Sequence, residues 1–144
     1  MHILVAIDRS EESRNALTTA FDIQESADGR VTAVHAVESS TARTNTAKES
    51  TEDINRGEEI LEEAEAQASK RDLSIETELL VGDPVETITE YAEENAVDVI
   101  YAGHRGLANK GEEVPEDDRG PLGSVAKGVV ERTKIPVSVF DKEL

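Results

Sequence analysis

The residues best suited to chemistry in this chain lie between Val97 and Val130, where glycines, a hydroxyl and an arginine gather. An apolar, β-branched run from Val97 to Ala102 stops at Gly103-His104-Arg105-Gly106. A polar loop follows, and Gly123-Ser124 then opens an apolar-periodic stretch. Strand, glycine-rich loop and helix start together suit an anion. Glycines let backbone N–H groups approach a phosphate closely, and a helix start supplies unpaired donors and a positive dipole. Arg105 can contact a phosphate or pair with carboxylates of the loop that follows. Gly123-Ser124 can also be read as an ordinary N-cap, which leaves the loop glycines unexplained. Asp8 closes the first apolar run of the chain. It can face a ligand there, or cap the helix that follows.

Other chemistry finds less support. His35 and His104 stand alone, without the spacing of metal ligands, so no transition-metal site is expected. His35, within an apolar strand, reads as a satisfied core histidine, and His104 as solvent-facing. No Walker Gly-Lys-Ser/Thr is present, and no nucleophile sits beside a base. The chain reads as a binding protein rather than an enzyme, with slow hydrolysis of a bound phosphate compound left open.

The elements that must position these residues alternate. Ile3–Ile7 is a continuous apolar run, as a strand buried on both faces would be. Ser10 can cap the next element, with Glu11 and Glu12 in its first turn and Ala16, Leu17, Ala20 and Phe21 at helical spacing. Val31–Val37 is a second strand. Residues Glu38–Glu49 carry no period and read as a mobile loop. A helix follows from about Thr51, weakened by Gly57. Leu73–Val81 alternates like a strand near an edge, and Asp83-Pro84-Val85-Glu86 is a helix start with a cap, a first-position proline and an acid three after the cap. Val97–Ala102, Ser124–Arg132 and Ile135–Phe140 complete the series, the proline placing the last strand at an edge. Five strands alternating with four helices predict a five-stranded, parallel, doubly wound sandwich in three α/β/α layers.

Length and charge bound the rest. The 144 residues suit one domain over 1–144, and the absence of cysteine removes disulfides and thiolate metal sites. Thirty-two acidic residues oppose 15 basic ones, for a formal net charge of −17. The acids are threaded between apolar periods, which argues for a folded acidic surface over disorder. Such a surface repels nucleic acid. It also repels itself until salt screens it, so adaptation to concentrated salt is expected. No stretch has the length of a membrane span or a signal segment, and a cytoplasmic protein is expected.

With these residues in view, the chain resembles the universal stress proteins of single-domain type. The likeness is carried by Ile3–Asp8 with Ser10 and Ser13, Val34-His35-Ala36-Val37, Val81-Gly82-Asp83-Pro84, Val97–Ile100, Gly103-x-x-Gly106, Gly123-Ser124-Val125 and Ile135–Val139. The resemblance implies a Rossmann-like fold of the adenine nucleotide alpha hydrolase kind and a site for an adenine nucleotide, ATP first, with AMP or ADP as alternatives; the acidic loop can recruit Mg²⁺ with the nucleotide, or form a solvated face. In ATP-binding members Gly-x-x-Gly is followed, nine residues on, by Gly-Ser or Gly-Thr. Carried over, Gly103, Gly106, Gly123 and Ser124, with Arg105 and Val125 beside them, would hold phosphates. Asp8 would meet the ribose or adenine end, and the backbone of Ala6, Ile7, Ala36 and Ala102 would line the base pocket. The family likeness also implies a homodimer through strand 137–140 and a protein partner whose identity is unknown. The chain departs from the pattern at Leu107–Leu122, sixteen residues where nine are usual, carrying Glu112, Glu113, Glu116, Asp117 and Asp118. An alternative reading follows: a member that has lost ATP binding through this loop and acts as an interaction module. A phospho-receiver domain built on Asp8 and Lys134 fails for want of the acidic pair after strand one. An adenylyl-transferring enzyme fails for want of a catalytic histidine or lysine pair.

Overall fold

Alternate residues of the first strand, β1 (His2–Ala6), serve two different cores in the computed structural model, which describes residues 1–38, 47–104 and 124–141. Ile3 and Val5 join the apolar cluster built with α1 (Glu11–Ser26) and α2 (Ala47–Lys70). Leu4 and Ala6 join the cluster built with α3 (Pro84–Glu94) and α4 (Ser124–Arg132). Every residue of β1 is buried, as its continuous apolar run predicts for a central parallel strand.

The sheet order is β3 (Glu76–Val81), β2 (Arg30–Val37), β1, β4 (Val99–Gly103), β5 (Val137–Phe140), and each pairing is parallel. This is the expected five-stranded, doubly wound, three-layer sandwich, with β3 and β5 at the edges. The start of α3 is capped as the sequence predicts: Asp83 Oδ1 accepts from the Glu86 N–H at 2.9 Å, with Pro84 in the first position. Ser10 likewise caps α1, its hydroxyl accepting from the Ser13 N–H at 3.1 Å.

Element ends differ from expectation where side chains or turns intervene. Helix α2 begins at Ala47, before Thr51, because Ala47, Lys48 and Glu49 are strong helix formers. Strand β3 begins at Glu76 rather than Leu73. Asp72 takes a left-handed φ of 56°, and the Leu73 N–H returns to Ala68 O at 2.9 Å, so Leu73 still belongs to the helix's closing turn. Strand β4 begins at Val99 rather than Val97 for the same reason: Ala96 has φ 53°, and the Val97 N–H reaches Ala92 O at 3.1 Å.

His2 anchors the amino end of the sheet. Its N–H donates to Asp98 Oδ2 at 2.6 Å, and its ring nitrogens meet Asn95 O at 3.1 Å and Thr32 Oγ1 at 2.8 Å. A carbonyl only accepts, so Nδ1 carries the proton toward Asn95, and neutral Nε2 accepts from the Thr32 hydroxyl. Gly57 in α2 also has a packing role. A β-carbon there would meet Leu79 Cδ1 at 2.6 Å and His35 Cδ2 at 2.9 Å, so the glycine lets the helix lie close on β2 and β3.

Candidate functional site

The chain runs outward from β1 through β2 and β3 on one side, while β4 and β5 lie on the other. The strand order therefore reverses between β1 and β4, and the crevice outside their carboxyl ends is the place where such sheets take ligands. The described site residues at these ends are Ala6, Ile7 and Asp8 from β1, Ala102 and Gly103 from β4, and Ser124 and Val125 from the start of α4. Ala36 stands near the end of β2. Arg105, Gly106 and Gly123 lie outside the described residues, as does loop 107–122.

Asp8 is held by the first turn of α1. The Ser13 hydroxyl accepts from the Asp8 N–H at 3.0 Å and donates to the Asp8 carbonyl at 2.9 Å. Asp8 Oδ1 accepts from the Ser10 N–H at 2.7 Å, so the residue starts a turn. Burial pushes the Asp8 carboxyl above its ordinary value, against the opposing pull of the Ser10 hydrogen bonds, the charge of His35 and the Ser13 hydroxyl. A desolvated carboxylate at a strand's carboxyl end is a feature of functional sites.

The neighbouring backbone is largely committed to the fold. The Ile7 N–H donates to Val34 O at 2.8 Å, and Ile7 O accepts from His35 Nδ1 at 2.7 Å. Ile7 thus has no free N–H to offer a base. His35 is half-buried with this bond made, close to the satisfied histidine expected. Ala6 and Ala102 are register partners, both 2% exposed. Ala6 and Ala36 both contribute to the α3/α4 face of the sheet. Small side chains here keep the floor of the crevice low.

Gly103 has a second task that its motif does not announce. A β-carbon on it would lie 3.0 Å from Glu12 Cβ and 3.3 Å from the Ser13 nitrogen. The glycine therefore lets the start of α1 rest on the end of β4. Glu12, in the first turn of α1, is only 3% exposed in consequence.

His104 departs from the solvent-facing position expected of it. It is 8% exposed, and its N–H extends the ladder to Phe140 O at 2.6 Å. Its Nδ1 is buried and has no hydrogen-bond partner among the described residues. Ser124 opens α4 in an exposed position, and Val125 is half-buried against the second core cluster. A cavity of about 30 Å³ between α1 and α2, lined by Asp8, Ser13, Arg14 and Glu63, has the size of a water rather than a nucleotide. No group of three metal-ligating side chains occurs among the described residues.

Sequence reasoning named Asp8, Gly103 and Ser124, which stand at the ends of β1 and β4 and at the start of α4. It missed the clamp made by Ser13 and the burial of Glu12 and His104. The five-residue spacing of Asp8 and Ser13 was the available signal for the clamp, since a hydroxyl in a first helical turn reaches back to the strand end before it.

Comparison with known proteins places these features in a family. The profile of the universal stress protein family matches residues 1–141. A universal stress protein of Methanocaldococcus jannaschii is 31% identical over 145 residues, covering 97% of this chain and 81% of that relative. Among solved structures, the universal stress protein from Archaeoglobus fulgidus in complex with dAMP superposes with a TM-score of 0.72 at 26% identity, covering 97% of each chain. A universal stress protein in complex with cAMP superposes with a TM-score of 0.66 at 25% identity, covering 97% of this chain and 95% of the other.

Proposed function

The chain belongs to the universal stress protein family, and from that membership we propose that it binds an adenine nucleotide in the crevice between the carboxyl ends of β1 and β4. The observation that carries the reading is the unmet polarity gathered there. The Asp8 carboxylate is held in a desolvated place, and among the described residues the buried His104 Nδ1 has no hydrogen-bond partner, both beside the reversal of strand order. Relatives at 26% and 25% identity are described in complex with dAMP and with cAMP, which supports an adenosine monophosphate unit as the common ligand.

ATP is the form we favour, held by the backbone of Gly103, Gly106 and Gly123 and by the Ser124 hydroxyl. AMP and ADP are the shorter alternatives. The carboxylates of loop 107–122 make an accompanying Mg²⁺ useful, since they would otherwise repel a triphosphate. The protein acts by its bound state rather than by turnover, as a cytoplasmic homodimer signalling to or protecting a partner. No helix among the described residues is long and apolar enough to cross a membrane.

Calorimetric titration of ATP, ADP and AMP at molar KCl, with and without Mg²⁺, tests the reading. Binding that Gly106→Val or Gly123→Val removes is the expected result, because a side chain blocks close backbone approach. No heat with any nucleotide would transfer the case to the second reading, an interaction module whose sixteen-residue acidic loop has replaced nucleotide binding.

A further inference from the structure

The geometry points to His104 as a direct ligand contact in this crevice, its Nδ1–H donating to a phosphate oxygen of the bound nucleotide. The inference rests on the nucleotide-binding reading and adds a residue that the glycine motif does not specify. Buried polar atoms are nearly always hydrogen-bonded, and leaving one unmade is costly. Among the described residues His104 Nδ1 is buried with no hydrogen-bond partner, in a residue 92% withdrawn from solvent, by its 8% exposure.

Strand alternation gives the direction of the ring. Tyr101 belongs to the core cluster under α1 and α2, and Gly103 faces Glu12 and Ser13 of α1. The next residue, still on the ladder through its bond to Phe140 O, turns to the opposite face. Ala6 and Val125 lie on that face, so His104 points to the side on which α4 begins. A ring nitrogen donates or accepts according to tautomer. Beside the start of a helix, where unpaired N–H groups and the dipole favour an anion, the donor form is the one matched to the ligand.

The test uses the whole chain at molar KCl, with AMP and adenosine as probes. Histidine ¹⁵N spectra of the wild type should show the His104 Nδ1 resonance moving as AMP saturates the protein, and moving little with adenosine. His104→Phe should weaken AMP about ten-fold or more, the usual worth of a hydrogen bond to a charged group. It should not lower thermal stability, since it replaces an unpartnered polar ring by an apolar one, and His104→Asn should recover part of the affinity. AMP binding with an unmoved His104 resonance and an unchanged phenylalanine variant overturns this inference alone. An equal response to adenosine overturns the phosphate contact. A wild type that binds neither AMP nor ATP overturns the nucleotide reading and this one together.

Discussion

Gly103 lies so close beneath Ser13 that a β-carbon on the glycine would come within 3.3 Å of the serine nitrogen. The same Ser13 clamps both backbone groups of Asp8 through its hydroxyl. The end of β4 is therefore packed against the device that holds the end of β1, and the two sides of the crevice are set by one contact.

Gly103→Ala should be destabilising and should also disturb the site. The neighbours of the added methyl include the main chain of Glu12 and Ser13, which cannot swing aside as a side-chain tip can. Overpacking of this kind costs about 1–3 kcal/mol. Denaturant unfolding should show the loss, and the Asp8 and Ser13 amide resonances should shift. A variant as stable as the wild type with unmoved resonances would show the contact to be slack.

Asp8→Asn should stabilise the protein at neutral pH but not in acid. Burial raises the Asp8 carboxyl, so the folded state favours the protonated form, and ionisation works against folding. The stabilising effect of that raised pKa is complete below the ordinary carboxylate range and is lost as pH rises through the folded value. Asparagine keeps the Oδ1 acceptor for the Ser10 N–H without the charge. Urea midpoints at pH 3 and pH 7 should coincide for the two proteins in acid and separate at neutrality. A gap of equal size at both would remove burial of the charge as its cause.

Salt withdrawal should lower the melting temperature. With a net charge of −17, like-charge repulsion is screened over about 3 Å at 1 M salt and over about 30 Å at 0.01 M. Among the described residues the ion pairs that offset it, Arg9 with Glu59 and Glu63, Arg30 with Glu76, Arg56 with Asp53, and Arg71 with Asp22 and Glu25, lie on exposed or half-exposed side chains. Exposed pairs of this kind contribute little. Melting midpoints that hold or rise between molar and millimolar KCl would contradict salt adaptation.

Val139→Pro should split a dimer formed through β5. Ile100 and His104 donate to the carbonyls of Pro136 and Phe140, so the alternate residues Val137 and Val139 turn their backbone groups to the open edge. Proline at 139 removes an outward donor and leaves the ladder to β4 its own bonds. Sedimentation at molar KCl should give a dimer for the wild type and a monomer for the variant. A wild-type monomer would remove this strand as an interface.

The fold was legible because its signals are local. The unbroken apolar run of β1 announces a strand covered on both sides, and Asp83-Pro84-Val85-Glu86 announces a helix start. The site was legible in part. Asp8, Gly103 and Ser124 fall at element ends, where punctuation is visible in the sequence. His104 was misjudged and the burial of Glu12 went unread, because burial depends on what packs over a residue. Glu12 is covered where a side chain is missing from Gly103, more than ninety positions later, and no local pattern reports that. Gly57 was read as a flaw in its helix for the same reason, since Leu79 and His35, which need its bareness, lie on other elements.

The central place of β1 also orders events in time. It precedes the other four strands of its sheet in the chain, yet one of its two neighbours is β4, and the bond from His2 to Asp98 joins residues 96 positions apart. A run of apolar residues with one side unpaired must wait for most of the chain to be made, since non-local pairing comes late and exposed strand edges invite aggregation. Until β4 arrives, the nascent protein's hazard is concentrated in Ile3–Ile7. Acidic residues crowd the chain between these two strands, and their mutual repulsion discourages contact between neighbouring nascent copies during that interval.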